Sequence, residues 1–576
     1  MTASWNHLNS SENQKEISTV TVSAREDVVL SLATIDGTEG DDVLDGTGED
    51  DRINGYGGHD TLFGHGGDDV LNGGGGGDHL EGGDGDDWLN TAVGDVGWDD
   101  LLVGGAGDDI LTSGFGNDRL HGGDGDDVLI SGGEGKSSTT GGDRDGDQLY
   151  GDAGNDTLIG SSMSDRLYGG DGDDALFGGD EQDILYGDAG ADFMDGGLGG
   201  DYVDYRAADT GVRVDLQNGL GHGGIAEGDI YRNIENIRGS DFSDVLIGND
   251  ANNLLLGFDG NDALYGGDGD DRLEGGDGDD LLMGGAGDDY FANEPGADHF
   301  DGGEGSDTIS LRSYDGVPGA VIVNLAEGTA SGGALDPGDT FTNIENVMAT
   351  QFHDTLIGDG NDNTFTGYKG ADYIDGGEGS DTVQYIGQPY GGGGHFGIGV
   401  NINLATGRVY GADANGDTLV SIENVIGSGY NDVIAGSDDD NHLTGGGGAD
   451  DISGGAGDDV LVDHDGGDFL QGGAGADVFV FNYGTASLIR DFSFTEGDRI
   501  DLTEFYGPDN WITQQPEDLS FLGYRDFTGE AGQLNLVQNL ESTLVQIDLD
   551  GDLATDFQIT LESATGPLTS DAFYLL

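Results

Sequence analysis

The sequence predicts an all-β solenoid of the β-helix type, and three observations carry that reading. A nine-residue pattern, G-G-x-G-x-D-x-U-x with U apolar, recurs along most of the chain, as in GGDGDDRLE (266–274), GGDGDDLLM (275–283) and GGAGDDYFA (284–292). The x-U-x portion is a strand too short to stand alone, so U is buried only if successive repeats stack. The composition is extreme: 576 residues include 117 Gly and 115 Asp plus Glu but only 18 Lys plus Arg, for a net charge of −97. That leaves either an acidic disordered polymer or a repeat fold whose charge a bound cation offsets. The apolar residue fixed at position 8 (Leu264, Leu273, Leu282, Phe291) favours the fold, because a linker has no use for that register.

The organisation follows from where the pattern holds. Residues 1–36 are a polar leader or cap, in which Thr19–Leu32 is expected to add a strand. Repeat blocks span 37–205, 239–310, 349–385 and 427–481, with loops bulging at Gly94–Trp98 and Lys136–Gly142. Between the blocks lie segments 206–238, 311–348 and 386–426. Each alternates apolar and polar residues (Val212, Val214, Leu216; Val321, Val323, Leu325; Val400, Ile402, Leu404), passes an Asn-Gly, Glu-Gly or Thr-Gly turn, and closes on I-E-N-[IV]. These read as β-insertions that rejoin the stack. Residues 482–576 lose the glycine and gain Phe, Leu, Ile and Thr, as expected of a β cap over the last turn.

The spacing suits a hard cation. Glycine allows a tight turn that aims carbonyl oxygens inward, and the Asp at position 6 adds a carboxylate. One loop offers about three oxygens where Ca²⁺ takes six to eight, so a site needs two loops from stacked turns. Cysteine is absent and the 11 His are scattered, which disfavours zinc or copper. The charge repels phosphate and so argues against nucleic acid or anionic membranes. Apolar runs are a few residues long, short of the ~18 a transmembrane segment needs. No Sec-type signal peptide is visible in the first ~30 residues.

These repeats resemble those of the RTX (repeats-in-toxin) proteins, which implies a right-handed parallel β-roll with two nonapeptides per turn. It further implies that loop carbonyls and the sixth-position Asp bind many Ca²⁺ ions. Carried over, the ligands are Asp60, Asp69, Asp78, Asp87, Asp109, Asp118, Asp127, Asp156, Asp174 and Asp192 in the first block. In the later blocks they are Asp262, Asp271, Asp280, Asp289, Asp307, Asp372, Asp381, Asp450, Asp459, Asp468 and Asp477. The resemblance also implies metal-site glycines, Gly266, Gly267, Gly269, Gly275, Gly276 and Gly278, in loops whose carbonyls bind the ion. Asn253, Asn363 and Asn441 replace the Asp, and Glu49, Met163 and Glu181 replace the fourth Gly; these loops are expected to bind weakly or stay empty.

Residues 472–576 resemble the C-terminal domain of serralysin-type metalloproteases in GGAGADVFVF (472–481), RDFSFTEGDRIDL (490–502), DFTGEAGQLNL (526–536) and VQIDLDGDLATDF (545–557). That resemblance implies a cap carrying an uncleaved type I secretion signal, ending in Asp571–Leu576. There is no H-E-x-x-H and no G-x-S-x-G, so it does not bring the protease chemistry.

The expected function is that of a secreted, extracellular or cell-surface protein that folds on calcium after type I export. Its role would be surface-layer, matrix or adhesion, with self-association or cell-surface polysaccharide as partners, and no enzyme activity. Roughly thirty Ca²⁺ would leave a charge of roughly −37. The alternative is a polysaccharide-modifying enzyme with its site on the insertions (Tyr202, Tyr205, Arg206, Arg213, His222), or a non-catalytic accessory to one. Asp548, Asp550 and Asp552 echo an EF-hand start, but Leu553 stands where that loop needs Gly, so a hairpin turn is the simpler reading. Asp498 and Asp501 suit either a peripheral ion or strand capping.

Overall fold

The computed structural model describes residues 32–91, 97–132, 146–311, 319–333, 338–385, 399–411, 414–464, 466–482, 487–503, 519–566 and 568–575. The described residues are all-β, with no α-helix and a few single 3₁₀ turns. No helix among them is long and apolar enough to cross a membrane. The chain divides into two compact units, Met1–Tyr205 with Gly219–Ile234, and Arg206–Asn218 with Glu235–Leu576. Each is a β-solenoid, and the turns number about 23 in all.

Alternate nonapeptides build opposite sheets, so the structural period is two repeats. Arg272–Asp277 pairs in parallel with Leu254–Asp259 on one side and Tyr290–Ala292 on the other. The intervening Ala263–Asp268 pairs with Leu281–Ala286 in the second sheet. Position 8 therefore meets position 8 eighteen residues away: Leu273 stacks on Leu255 and Phe291, and Leu264 on Leu282. These side chains are 0–1% exposed and form a narrow core between the sheets. Each such burial contributes about 1.5–3 kcal/mol, offset by the ordering of its loop.

The first unit keeps this pattern across two breaks. His79 pairs with Leu101, and Arg119 with Gln148, so both breaks leave the stack continuous. Most of the loops expected at Gly94–Trp98 and Lys136–Gly142 lies outside the described residues, as does nearly all of Thr19–Leu32.

The later insertions are hairpins that enter the stack. Ile322–Asn324 pairs antiparallel with Thr329–Ser331, and Asn401–Asn403 with Arg408–Tyr410. Their first strands also pair in parallel with the block that follows, Val323 with Leu356 and Ile402 with Ile434. In the first insertion, Val214 pairs with Leu246 in the same way. At the C-terminus, Gln533–Gln538, Ser542–Asp548 and Phe557–Glu562 form an antiparallel meander. It joins the stack where Leu488 pairs with Thr560, while a separate short strand, Phe573–Tyr574, pairs with Ile500 and Asp501; the meander brings its own core.

Candidate metal centres

Every sequence-predicted aspartate lies on a continuous ladder. The backbone N–H of each position-6 residue donates to a side-chain oxygen of its counterpart one turn on, which is Oδ1 where that counterpart is Asp, Oε2 at Glu345 and Glu423, and the hydroxyl at Ser487. One ladder runs Asp42, Asp60, Asp78, Asp100, Asp118, Asp147, Asp165, Asp183, Asp201, at 2.6–2.9 Å. Its counterpart on the opposite side runs Asp51, Asp69, Asp87, Asp109, Asp127, Asp156, Asp174, Asp192, Asp229. In the second unit the runs are Asp244, Asp262, Asp280, Asp298, Asp339, and Asn253, Asp271, Asp289, Asp307, Glu345. The next two are Asp354, Asp372, Asp417 and Asn363, Asp381, Glu423. The last are Asp432, Asp450, Asp468, ending on the Ser487 hydroxyl, and Asn441, Asp459, Asp477, Asp498.

The second carboxylate oxygen has a different fate. Oδ2 of Asp60, Asp69, Asp87, Asp109, Asp127, Asp156, Asp174, Asp192, Asp262, Asp271, Asp280, Asp289, Asp307, Asp372, Asp381, Asp450 and Asp459 is buried and meets no hydrogen-bond donor. The glycines explain what surrounds it. A Cβ built on Gly266 would stand 2.1 Å from Asp271 Oδ2 and 2.6 Å from the carbonyl oxygen of Gly284, one turn on. On Gly275 it would stand 2.3 Å from Asp280 Oδ2. Both distances are far inside van der Waals contact, so any side chain at position 1 would fill the space in front of the two oxygens. Position 1 is thus a cradle between stacked turns, lined by a carboxylate and a carbonyl. Positions 2 and 4 adopt φ from +100° to +155° at Gly267, Gly269, Gly276 and Gly278, a region that glycine enters without strain.

Burial makes the carboxylates costly. It pushes the Asp262, Asp271 and Asp289 carboxyls up to about 7, Asp280 to about 6 and Asp109 to about 8, against the downward pull of each ladder N–H. A buried carboxylate oxygen without a donor costs several kcal/mol unless a cation or a proton meets it. The residues present fit calcium: hard oxygens only, two loops per cradle, one oxygen of each carboxylate committed to the backbone and the other left for the metal. Asp118 and Asp468 differ, because Ser113 and Asp463 occupy position 1 in their loops. Burial and the neighbouring Asp468 push the Asp463 carboxyl up to about 9.

The substituted loops separate into two kinds. Glu181 takes φ +67° and keeps the open form, with Asp183 Oδ2 still lacking a donor. Glu49, Met163, Asn253, Asn363 and Asn441 belong to closed loops, in which the position-2 N–H donates to the position-6 side chain, as from Thr47 to Asp51 at 2.6 Å and from Asn249 to Asn253 at 2.7 Å.

Several ladder members escaped the pattern reading. Asp100, Asp165, Asp183 and Asp298 keep the nine-residue spacing but lack the full glycine context. Glu345 and Glu423 stand nine residues before Asp354 and Asp432, so counting backward from each block finds them. Asp229, Asp339 and Asp417 sit 37 to 45 residues after their partners, and the signal is a shared Gly-Asp shortly before each I-E-N. Tyr205 and Tyr385 occupy position 1, and their hydroxyls donate to Oδ2 of Asp229 and Asp417 at 2.6 and 3.2 Å. Tyr205 is therefore a packed core residue, while Arg213 pairs with Asp215. Asp498 is a ladder end, and Asp501 accepts from the N–H and hydroxyl of Thr503. The carboxylates of Asp548, Asp550 and Asp552 converge, and both Asp548 oxygens already accept N–H groups of Gly551 and Leu553.

The model of the RTX calcium-binding nonapeptide repeat matches residues 36–71, 63–95, 99–135, 141–175, 150–185, 168–203, 238–273, 256–291, 274–309, 348–383, 426–461 and 462–480, more than half of the chain. The chain belongs to the RTX calcium-binding repeat family. Among solved structures, this RTX chain is similar to the AlgE6R3 subunit of the Azotobacter vinelandii mannuronan C5-epimerase, at 23% identity over 25% of this chain and 78% of that one, with a TM-score of 0.19. It is also similar to the extracellular lipase LipA of Serratia marcescens, at 15% identity over 57% of this chain and 39% of that one, with a TM-score of 0.13. No curated protein matches.

Proposed function

We propose that this RTX protein is secreted, folds when it meets extracellular calcium, and serves as a non-catalytic structural component of a surface layer, matrix or adhesion contact. The observation that carries this reading is the file of buried Oδ2 atoms along the ladders, each facing a position-1 glycine where a side chain would collide with it. A chain of net charge −97 with so many carboxylates turned inward is poorly stable without cations. Low intracellular calcium would keep it extended and fit for a type I channel, and millimolar calcium outside would drive folding. The serralysin-like sequence of the last hundred residues supplies the reason to name that route. The array itself occupies most of the chain, which favours a building element over an appendage to an enzyme.

Calcium titration followed by circular dichroism tests it. A large, cooperative gain of β signal between micromolar and millimolar calcium is expected. A chain fully β in excess chelator and unchanged by calcium overturns the reading.

A further inference from the structure

Nine loops among the described residues are closed by their own backbone, and their positions are not scattered. They are 37–45, 46–54, 160–168, 239–247, 248–256, 349–357, 358–366, 427–435 and 436–444. Eight of these make up the first two nonapeptides, one full turn, of each of the four blocks. The ninth lies within the first block.

The closed loops share one local circuit. The side-chain oxygen at position 2 accepts the N–H of position 4, as Ser240 does from Phe242, Thr350 from Phe352 and Ser428 from Tyr430, each at 3.2 Å. The N–H of position 2 then donates to position 6: Ser240 to Asp244 at 2.6 Å, Thr350 to Asp354 at 2.9 Å. Ser, Thr, Asn and Asp favour such turns, and in eight of the nine loops position 4 is not the glycine that the open form uses. The acceptor left without a donor in an open loop is here already satisfied.

The same turns are bonded into the insertions that precede them. The N–H groups of Val212, Val321 and Val400 donate to Oδ1 of Asp244, Asp354 and Asp432 at 2.6–2.8 Å. One loop later, each I-E-N glutamate (Glu235, Glu345, Glu423) is followed eighteen residues on by Asn rather than Asp. The amides of Asn253 and Asn441 donate to the carbonyls of Glu235 and Glu423 at 2.7 and 2.9 Å, a contact a carboxylate cannot make. Neutral donors thus stand where the open turns use a cation.

We propose that each block opens on a starter turn that needs no calcium, and that these turns hold their structure when calcium is scarce. With the insertion hairpins, they form the preset surfaces on which the open, calcium-dependent turns stack. This rests on the reading that the open repeats bind calcium.

Hydrogen exchange of the full chain in excess chelator tests it. Amides of 245–247, 254–256, 355–357, 364–366, 433–435 and 442–444 are expected to exchange at least about tenfold more slowly than those of 272–274, 281–283 and 290–292. Equal loss of protection in both sets overturns the proposal. A second measurement uses S240G/F242G, which rewrites GSDFSD as the open form GGDGSD. The variant is expected to hold one more calcium ion per chain than the parent; an unchanged count overturns the proposal. A parent that binds no calcium at all would instead sink the reading of the repeats.

Discussion

Asp271 donates its backbone N–H to Oδ1 of Asp289, one turn on, at 2.8 Å, while Oδ2 of Asp289 is buried and meets no donor. One carboxylate therefore does two jobs, holding the preceding turn by one oxygen and offering the other to a cation.

The two jobs separate by substitution. Asp280→Asn keeps an acceptor for the Asp262 N–H but replaces the charged oxygen, so it is expected to stay folded in saturating calcium with affinity lowered about tenfold or more at its turn. Asp280→Ala removes the rung as well and is expected to cost a further ~1–3 kcal/mol. Calcium counting by mass spectrometry of the metal, with thermal melts, separates the two.

The cradle glycine Gly266 is expected to be intolerant where Gly40, in a closed loop, is not. In Gly266→Ala the new methyl falls 2.1 Å from Asp271 Oδ2, so the variant is expected to lose calcium at that seat and at least ~2 kcal/mol of stability. At Gly40 a Cβ meets nothing within 4 Å, and Gly40→Ala is expected to change stability by no more than ~0.5 kcal/mol. Melting both variants in saturating calcium checks the contrast.

The pH response has a definite sign. The carboxyls of Asp262, Asp271 and Asp289 titrate near 7 in the folded, calcium-free array, above the ~3.9 of an unfolded chain. Between those values the folded state binds more protons, so its stability without calcium falls as pH rises from about 4 to about 7. Calcium must displace the same protons, so apparent affinity is expected to rise over pH 6–8. Calorimetric titrations at several pH values, with proton release measured in buffers of different ionisation enthalpy, check both statements.

The core line is expected to be costly to thin. Leu273 is fully buried between Leu255 and Phe291, and Leu273→Ala is expected to destabilise the calcium-loaded protein by about 2–5 kcal/mol. Denaturant unfolding at fixed calcium measures it.

Tyr385→Phe removes the hydroxyl that donates to Asp417 Oδ2, leaving a buried carboxylate with one donor fewer. A loss of about 1–3 kcal/mol is expected in thermal melts, without the calcium loss expected on changing Asp280.

Much of this was legible because the fold is periodic. Leu264, Leu273 and Leu282 announce the core line, and the G-G-x-G-x-D pattern places the cradle aspartates, since each role recurs at fixed spacing. What stayed hidden lies where spacing fails. Asp229 follows Asp192 by 37 residues, and only the folded insertion brings it under the Asp192 N–H. The closed loops were visible as departures at Glu49, Met163 and Asn253. That they satisfy themselves depends on the direction of the Thr47 and Asn249 N–H groups, which sequence alone does not reveal. Glu181 resembles those departures and yet keeps the open form, at the expense of a left-handed backbone.

The eighteen-residue period makes length an editable property. Deleting 263–280 would bring residue 281 into the place of 263, with every side chain on its original face and one layer fewer. A nine-residue deletion would send all later strands to the opposite sheet and separate each insertion from its partner turn. Recombination between near-identical repeats therefore yields viable heights only in whole layers, in steps of eighteen residues.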